Sequence, residues 1–227
     1  MKKLIYKKLF KDHKNRTGMH KSWWKQAWHF FWHEDSVASW IVNLVVAFFA
    51  IKFIVYPLLG LLFGTSFPIV AVISESMEHG LHNGILCGQR FESFPYSFDN
   101  YWNVCGYWYE DRGIDKEQFQ SFPFQDGFDK GDVIILWRAN NLKVGDILVF
   151  QADRPQPIIH RIVHIGEEDG KPSYQTKGDH NIQSYPFESD ITPDALFGKA
   201  VFRIPYLGYV KIWFVEILQA LHIISQQ

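Results

Sequence analysis

Residues 37–64 contain one charged side chain, Lys52, in an otherwise apolar run. A bilayer core needs about 20 apolar residues in a helix, so the run can cross it once with length to spare. The alternative, a helix buried in a soluble core, seldom extends this far. The run therefore reads as a membrane span. Lys52 is expected to snorkel or to face protein. Pro57 and Gly60 mark a bend or the end of the helix.

The residues around the run set its orientation. Residues 1–36 carry nine Lys or Arg against three Asp or Glu. Positive charge favours the cytoplasmic side, so the N-terminus is expected inside and everything after about residue 65 outside. Trp24, Trp28 and Trp32 recur every fourth residue within 21–33. That spacing predicts an amphipathic helix on the cytoplasmic surface; a disordered basic tail is the alternative. The leader and apolar run are too long for a secretory signal peptide, and no small-residue cleavage site follows. Aromatics at 17%, with nine Trp, suit membrane interfaces. The net charge of −1 gives no general attraction to nucleic acid.

Beyond the span the pattern becomes β. Residues 68–73 form a short apolar, β-branched run. Residues 132–137, 146–150, 158–165, 174–177 and 199–204 are similar and are bounded by Gly, Pro, Asn or Asp. Such spacing predicts a mainly β domain over 65–205. Residues 79–128 differ, being rich in aromatics, Gly, Asp and Asn. They read as an inserted subregion with a short helix near 113–121. Residues 206–227 hold a last apolar segment interrupted by Lys211, Glu216 and His222. An amphipathic surface helix and a second span both fit it. Cys87 and Cys105 are the two cysteines, with a bridge and two free thiols equally open.

Three groups of residues carry candidate chemistry. Ser76 lies in Ser74-Glu75-Ser76-Met77, where the first apolar strand ends. A serine hydroxyl needs a base to become a nucleophile. Ser76 N–H and the Ser74 hydroxyl could supply oxyanion donors, and Met77 reads as a packing side chain. His160 is the candidate base, since an imidazole titrates near neutral pH. Strand alternation puts His160, Ile162 and His164 on one face. His164 lies about 13 Å further along and reads as structural. Asp179, in the stretch Lys177-Gly178-Asp179-His180-Asn181, and Asp190 are candidate acids to orient the histidine. Asp179 also suits a tight turn. His79, His82, Cys87 and Cys105 are of zinc-binding types, but their spacing matches no standard ligand pattern, so no metal or cofactor is expected.

Together these boxes resemble the type I signal peptidases, specifically the archaeal and endoplasmic-reticulum branch. The resemblance rests on Ser74-Glu75-Ser76-Met77, on Gly131-Asp132 and Gly145-Asp146, on Ile159-His160-Arg161-Ile162, and on 176–181, Thr-Lys-Gly-Asp-His-Asn. It covers roughly 40–210 and follows the family's order. It implies a signal-peptidase-like β-rich catalytic domain and a serine–histidine endopeptidase, where the bacterial branch uses lysine. Ser74 and Met77 then belong to the oxyanion and substrate-binding segment. The implied partners are secretory precursors with signal peptides, the lipid bilayer and translocation machinery. Two departures stand out. Glu78-His79 follows Met77 where the family usually has a proline, and some 50 residues then precede Gly131. The insertion is expected beside the site, as a lid or partner surface. Tyr185 stands where the family's second aspartate usually falls, so the orienting acid is assigned to Asp190, with Asp179 shaping the site. A non-catalytic membrane subunit using 79–128 as a binding surface is the alternative. A self-cleaving repressor-type peptidase would require a lysine base and a DNA-binding domain, and no helix-turn-helix pattern is present.

Overall fold

The computed structural model describes residues 36–220, together with Lys25, Trp28, His29, Trp32 and His33 before them. Residues 1–58 and 59–227 form two units. Those five early residues are helical, and the rings of Trp28 and Trp32 lie 5.6 Å apart. Trp24 and most of the predicted surface helix lie outside the described residues.

The apolar run is one helix, Val37–Phe63, of 27 residues, and its most apolar stretch is wholly unburied. Among the described residues it is the one helix long and apolar enough to cross a membrane. At 1.5 Å per residue it measures about 40 Å, against a hydrocarbon core of about 30 Å. Ser36 begins it, its hydroxyl accepting the Ser39 N–H at 3.2 Å. The helix consists of α1 (Val37–Ala50), a π-helical turn (Ile51–Val55) and α2 (Tyr56–Phe63). The π turn falls just before Pro57, which lacks an N–H and whose ring crowds the carbonyl four residues back. Widening the turn relieves that crowding. The Tyr56 N–H accordingly reaches Ile51 O, five residues back.

The second unit is built on a six-stranded antiparallel sheet. Its strands are β1 (Ile69–Ala71), β4 (Val133–Trp137), β5 (Ile147–Phe150), β6 (Ile158–Glu168), β7 (Lys171–Lys177) and β8 (Leu196–Ile204). Their order is β1-β4-β8-β5-β6-β7. Strand β5 is buried on both faces, which explains its unbroken apolar sequence. Ile147 and Val149 pack with Val72, Met77 and Phe128, whereas Leu148 and Phe150 pack with Ile162, Tyr174 and Ile191. Strands β6 and β7 are joined by Asp169-Gly170, both at positive φ, the geometry that Asp-Gly favours in a two-residue hairpin. A register shift between Ile162 and His164 interrupts β6. The predicted alternation therefore ends there: Val163 is buried against the insertion and His164 is exposed.

The insertion has its own core. A two-stranded hairpin, β2 (Ile85–Leu86) and β3 (Gln89–Arg90), precedes α3 (Phe98–Glu110) and α4 (Lys116–Gln120). The short helix expected near 113–121 corresponds to α4, whereas the longer α3 departs from the local sequence pattern. Its aromatic residues and Gly106 have modest helix propensity. Tertiary packing overrides that, because Tyr101, Trp102, Cys105, Trp108 and Tyr109 are buried at helical spacing. Ser97 and Asp115 cap α3 and α4. Cys87 and Cys105 are joined as a disulfide. The last segment begins as α5 (Tyr209–Ala220); residues 221–227 lie outside the described part.

Candidate active site

Strand β1 ends where the Ser74–Ser76 segment begins. Val72 donates its N–H to Asp132 O and accepts the Gly131 N–H, at 2.8 and 2.9 Å. The Gly131-Asp132 box thus fixes the approach to the serine. Its partner box, Gly145-Asp146, starts β5, with the Gly145 N–H on Ile162 O at 2.9 Å. Both boxes act as strand-initiating turns rather than as reacting groups.

Strand β6 carries His160 to the serine. His160 Nε2 lies 2.9 Å from Ser76 Oγ, and Ser74 Oγ is 3.2 Å from Ser76 Oγ. On the other side of the ring, Nδ1 meets Glu188 Oε1 in a short contact. His160 is 4% exposed and Glu188 wholly buried. The Tyr185 N–H donates to Glu188 Oε2 at 2.8 Å, fixing the carboxylate in the 3-10 turn Pro186–Glu188. The three side chains form a serine–histidine–carboxylate relay. The geometry suits proton removal from the hydroxyl and stabilisation of the resulting imidazolium.

Neither aspartate occupies that position. Asp190 is exposed at positive φ and borders a separate cleft with His164, Glu167 and Gln175. The assignment of Asp190 as the acid beside His160 is therefore corrected to Glu188. The physical reason lies in the turn: Pro186 starts a 3-10 turn that sends Glu188 inward, and Asp190 follows after the chain has left the site. The sequence signal was a proline with an acid two residues later, a pattern that starts a short helical turn.

Asp179 is fully buried on the far side of the same strand. Arg161 Nε reaches both its oxygens, and Arg161 Nη2 lies 2.7 Å from Oδ2. His79 Nε2 and the Tyr109 hydroxyl each add a contact at 3.0 Å. Burial alone would raise the Asp179 pKa, but the Arg161 guanidinium and the His79 contact hold it well below the usual carboxylate range. The same burial lowers the pKa of His79 despite its carboxylate partner. Lys177 is likewise buried; desolvation pushes its pKa down to about 8, against the pull of Asp179 and Glu188. This charge cluster shapes the turn behind the site and touches neither Ser76 nor His160 through the Asp179 carboxylate. Met77, assigned to the substrate-binding segment, is fully buried among Val72, Phe128 and Ile134 and does not line the cleft.

The relay opens on a cleft of about 420 Å³. Ala71, Ile73, Pro157, Ile159, Tyr185 and Phe187 give it a mostly apolar lining. Strand β1 is an edge of the sheet, so an extended peptide entering here meets unpaired backbone. Gly178 closes the other side of the serine. A Cβ there would lie 2.7 Å from His160 Nε2 and 2.7 Å from Ser76 O. Gly127, at φ +70°, similarly lets the insertion's return pass close to Met77 O. Among the described residues no set of three His, Cys, Asp or Glu side chains could hold a metal ion.

No family model matches the chain. It is similar to curated proteins named signal peptidase complex catalytic subunit SEC11. The one from Lachancea thermotolerans is 36% identical over 111 residues, taking in 42% of this chain and 63% of the relative. Those from Candida tropicalis and Sclerotinia sclerotiorum are 33% and 35% identical over 104 and 105 residues. The chain thus spans about 63% of the length of these relatives. Homologues at 31–36% identity bear this name, and the four sequence boxes resemble the same group. The relatives named are fungal, so they bear on the eukaryotic side of the predicted branch and not on the archaeal side.

Proposed function

We propose that the chain is a membrane-anchored serine endopeptidase that removes signal peptides from translocated precursor proteins. The observation that carries the reading is the 2.9 Å contact of Ser76 Oγ with His160 Nε2, backed by Glu188 on Nδ1. A cleavage segment lies extended along the edge of β1, where backbone hydrogen bonds align the scissile carbonyl. The resemblance implies small residues one and three positions before the cut. Ser76 Oγ attacks the carbonyl carbon as its proton passes to His160 Nε2. Glu188 holds the Nδ1–H tautomer and offsets the charge of the imidazolium. Ser76 N–H and the Ser74 hydroxyl stabilise the oxyanion. His160 then protonates the leaving amine, and water, deprotonated by the same imidazole, hydrolyses the acyl-enzyme.

Location belongs to the same proposal. The Val37–Phe63 helix anchors the chain in a lipid bilayer. The basic leader supports a cytoplasmic N-terminus, with the catalytic domain on the outer face of the cell membrane. The Cys87–Cys105 bridge agrees with an oxidising compartment. Secretory precursors and the translocation machinery that delivers them are the proposed partners. The likeness to subunits of a signal peptidase complex supports that setting.

The test is cleavage of a signal-sequence-bearing precursor by detergent-purified protein, beside Ser76→Ala and His160→Ala. The expected result is one cut after a small residue by the wild type and none by the variants. Cleavage by Ser76→Ala would refute the assignment. Protease added outside sealed right-side-out vesicles should digest the β domain; protection would reverse the orientation.

A further inference from the structure

Residues 79–128 do not line the cleft, and among their buried contacts, which also reach Arg161, Val163 and Met77, several meet on one turn. That turn, residues 178–181, borders the serine directly. The His180 N–H donates to Ser76 O at 2.9 Å, and the space at Gly178 is filled by His160 and Ser76. Two arms of the insertion hold it from behind. On the hairpin side, the Cys87 N–H donates to His180 O at 3.2 Å. On the helix side, the Tyr101 hydroxyl donates to Asp179 O and the Tyr109 hydroxyl to Asp179 Oδ1, both at 3.0 Å. Tyr101, Cys105 and Tyr109 recur every fourth residue on α3 and so share one face. All of these side chains are at most 2% exposed. The Cys87–Cys105 bridge joins the two arms at the point of contact.

We infer that the insertion is a positioning clamp for the peptidase reaction: Tyr101, Tyr109 and the Cys87–Cys105 bridge hold the 178–181 turn, and through it Ser76, in register with His160. This rests on the peptidase reading of Ser76 and His160. Two successive backbone hydrogen bonds, Cys87 N–H to His180 O and His180 N–H to Ser76 O, connect the bridge to the nucleophile. Relaxing the turn displaces the serine relative to the imidazole. A displacement of about 1 Å in such a pair costs on the order of a hundredfold in rate.

The test compares full-length wild type with Tyr101→Phe/Tyr109→Phe and with Cys87→Ala/Cys105→Ala. The first pair keeps the aromatic packing and removes the hydroxyl contacts, those to Asp179 and the one that Tyr109 accepts from the Lys177 ammonium. Each protein is labelled with a serine-directed fluorophosphonate, and both the rate and the final extent are read. The expected result is complete labelling at a rate lowered tenfold or more, with kcat for precursor cleavage falling in parallel and KM within twofold. An unchanged rate in both variants overturns the inference. So does a reduced extent with an unchanged rate for the molecules that do react, since that is loss of folded protein alone. If the wild type neither cleaves nor labels, the peptidase reading itself fails, which is a separate outcome.

Discussion

Gly178→Ala is a sharp probe of the site because it adds one methyl group at a place with no room. Gly178 is not at positive φ, so the substitution acts through volume rather than backbone strain. The new Cβ would stand 2.5 Å from Asn181 Nδ2, 2.7 Å from His160 Nε2 and 2.7 Å from Ser76 O. Ordinary contact begins at 3.4 Å, so His160 and Ser76 must retreat by about 0.7 Å and Asn181 by about 0.9 Å. His160 cannot retreat freely, being held on its other nitrogen by Glu188 in a buried turn. Ser76 O is held in turn by the His180 N–H. The strain falls on the serine–histidine contact, which lengthens from 2.9 Å by some tenths of an ångström, out of the hydrogen-bonding range that ends at about 3.2 Å. Overpacking of this kind costs about 1–3 kcal/mol of stability, a shift of a few degrees in Tm for a domain of this size. Catalysis suffers more, since misplacing a reacting pair by this distance costs up to about a hundredfold. Steady-state cleavage of a precursor peptide should show kcat down by about 30- to 100-fold with KM little changed. A kcat within twofold of wild type, in folded protein, would refute the packing argument and the site built on it.

Further predictions separate the carboxylates and the buried cations. Glu188→Gln should lower kcat by about 10⁴, the scale seen when a triad acid is neutralised, while Asp190→Asn stays within twofold in the same assay. Asp179→Asn leaves Arg161 buried without its counter-charge and should cost about 3–5 kcal/mol in denaturant titration. The folded pKa of Asp179 is depressed, so its contribution to stability is present above the ordinary carboxylate value near 4 and is lost as pH falls below it. Stability against pH in Asp179→Asn should therefore be flatter below pH 4 than in wild type. Lys177 is shifted in the same direction but titrates at alkaline pH: its folded pKa is about 8 against 10.5 unfolded. The unfolded chain binds more protons between those values, so stability should rise from about pH 8 to 10. Lys177→Met should remove that rise in thermal melts across the same range.

Much of the architecture is readable along the chain because it depends on local pattern. The 37–64 run needs only length and apolarity to define a helix that can cross a bilayer. The β runs around 133–137, 147–150 and 158–165 need only β-branched composition and bounding Gly, Pro or Asp residues, and all three are strands. The serine–histidine pair was also legible, since Ser76 and His160 stand in boxes of distinctive order, and they lie in contact.

What depended on contacts between distant segments was not legible. Helix α3 forms because its aromatics bury against Leu86, Phe119 and Val163, which no local propensity reports. Glu188 and Asp190 are two carboxylates two residues apart. A single 3-10 turn sends one inward to His160 and leaves the other in solvent. Asp179 looked like a site acid, yet Arg161 on the opposite face of β6 takes it, because successive strand side chains point to opposite sides. Sequence by itself determined the membrane helix, the β class and the serine–histidine pair, all properties of composition and short-range order. Tertiary structure alone decided the third member of the relay and the packing of the insertion behind the site, because a buried carboxylate goes where the folded chain offers it a partner.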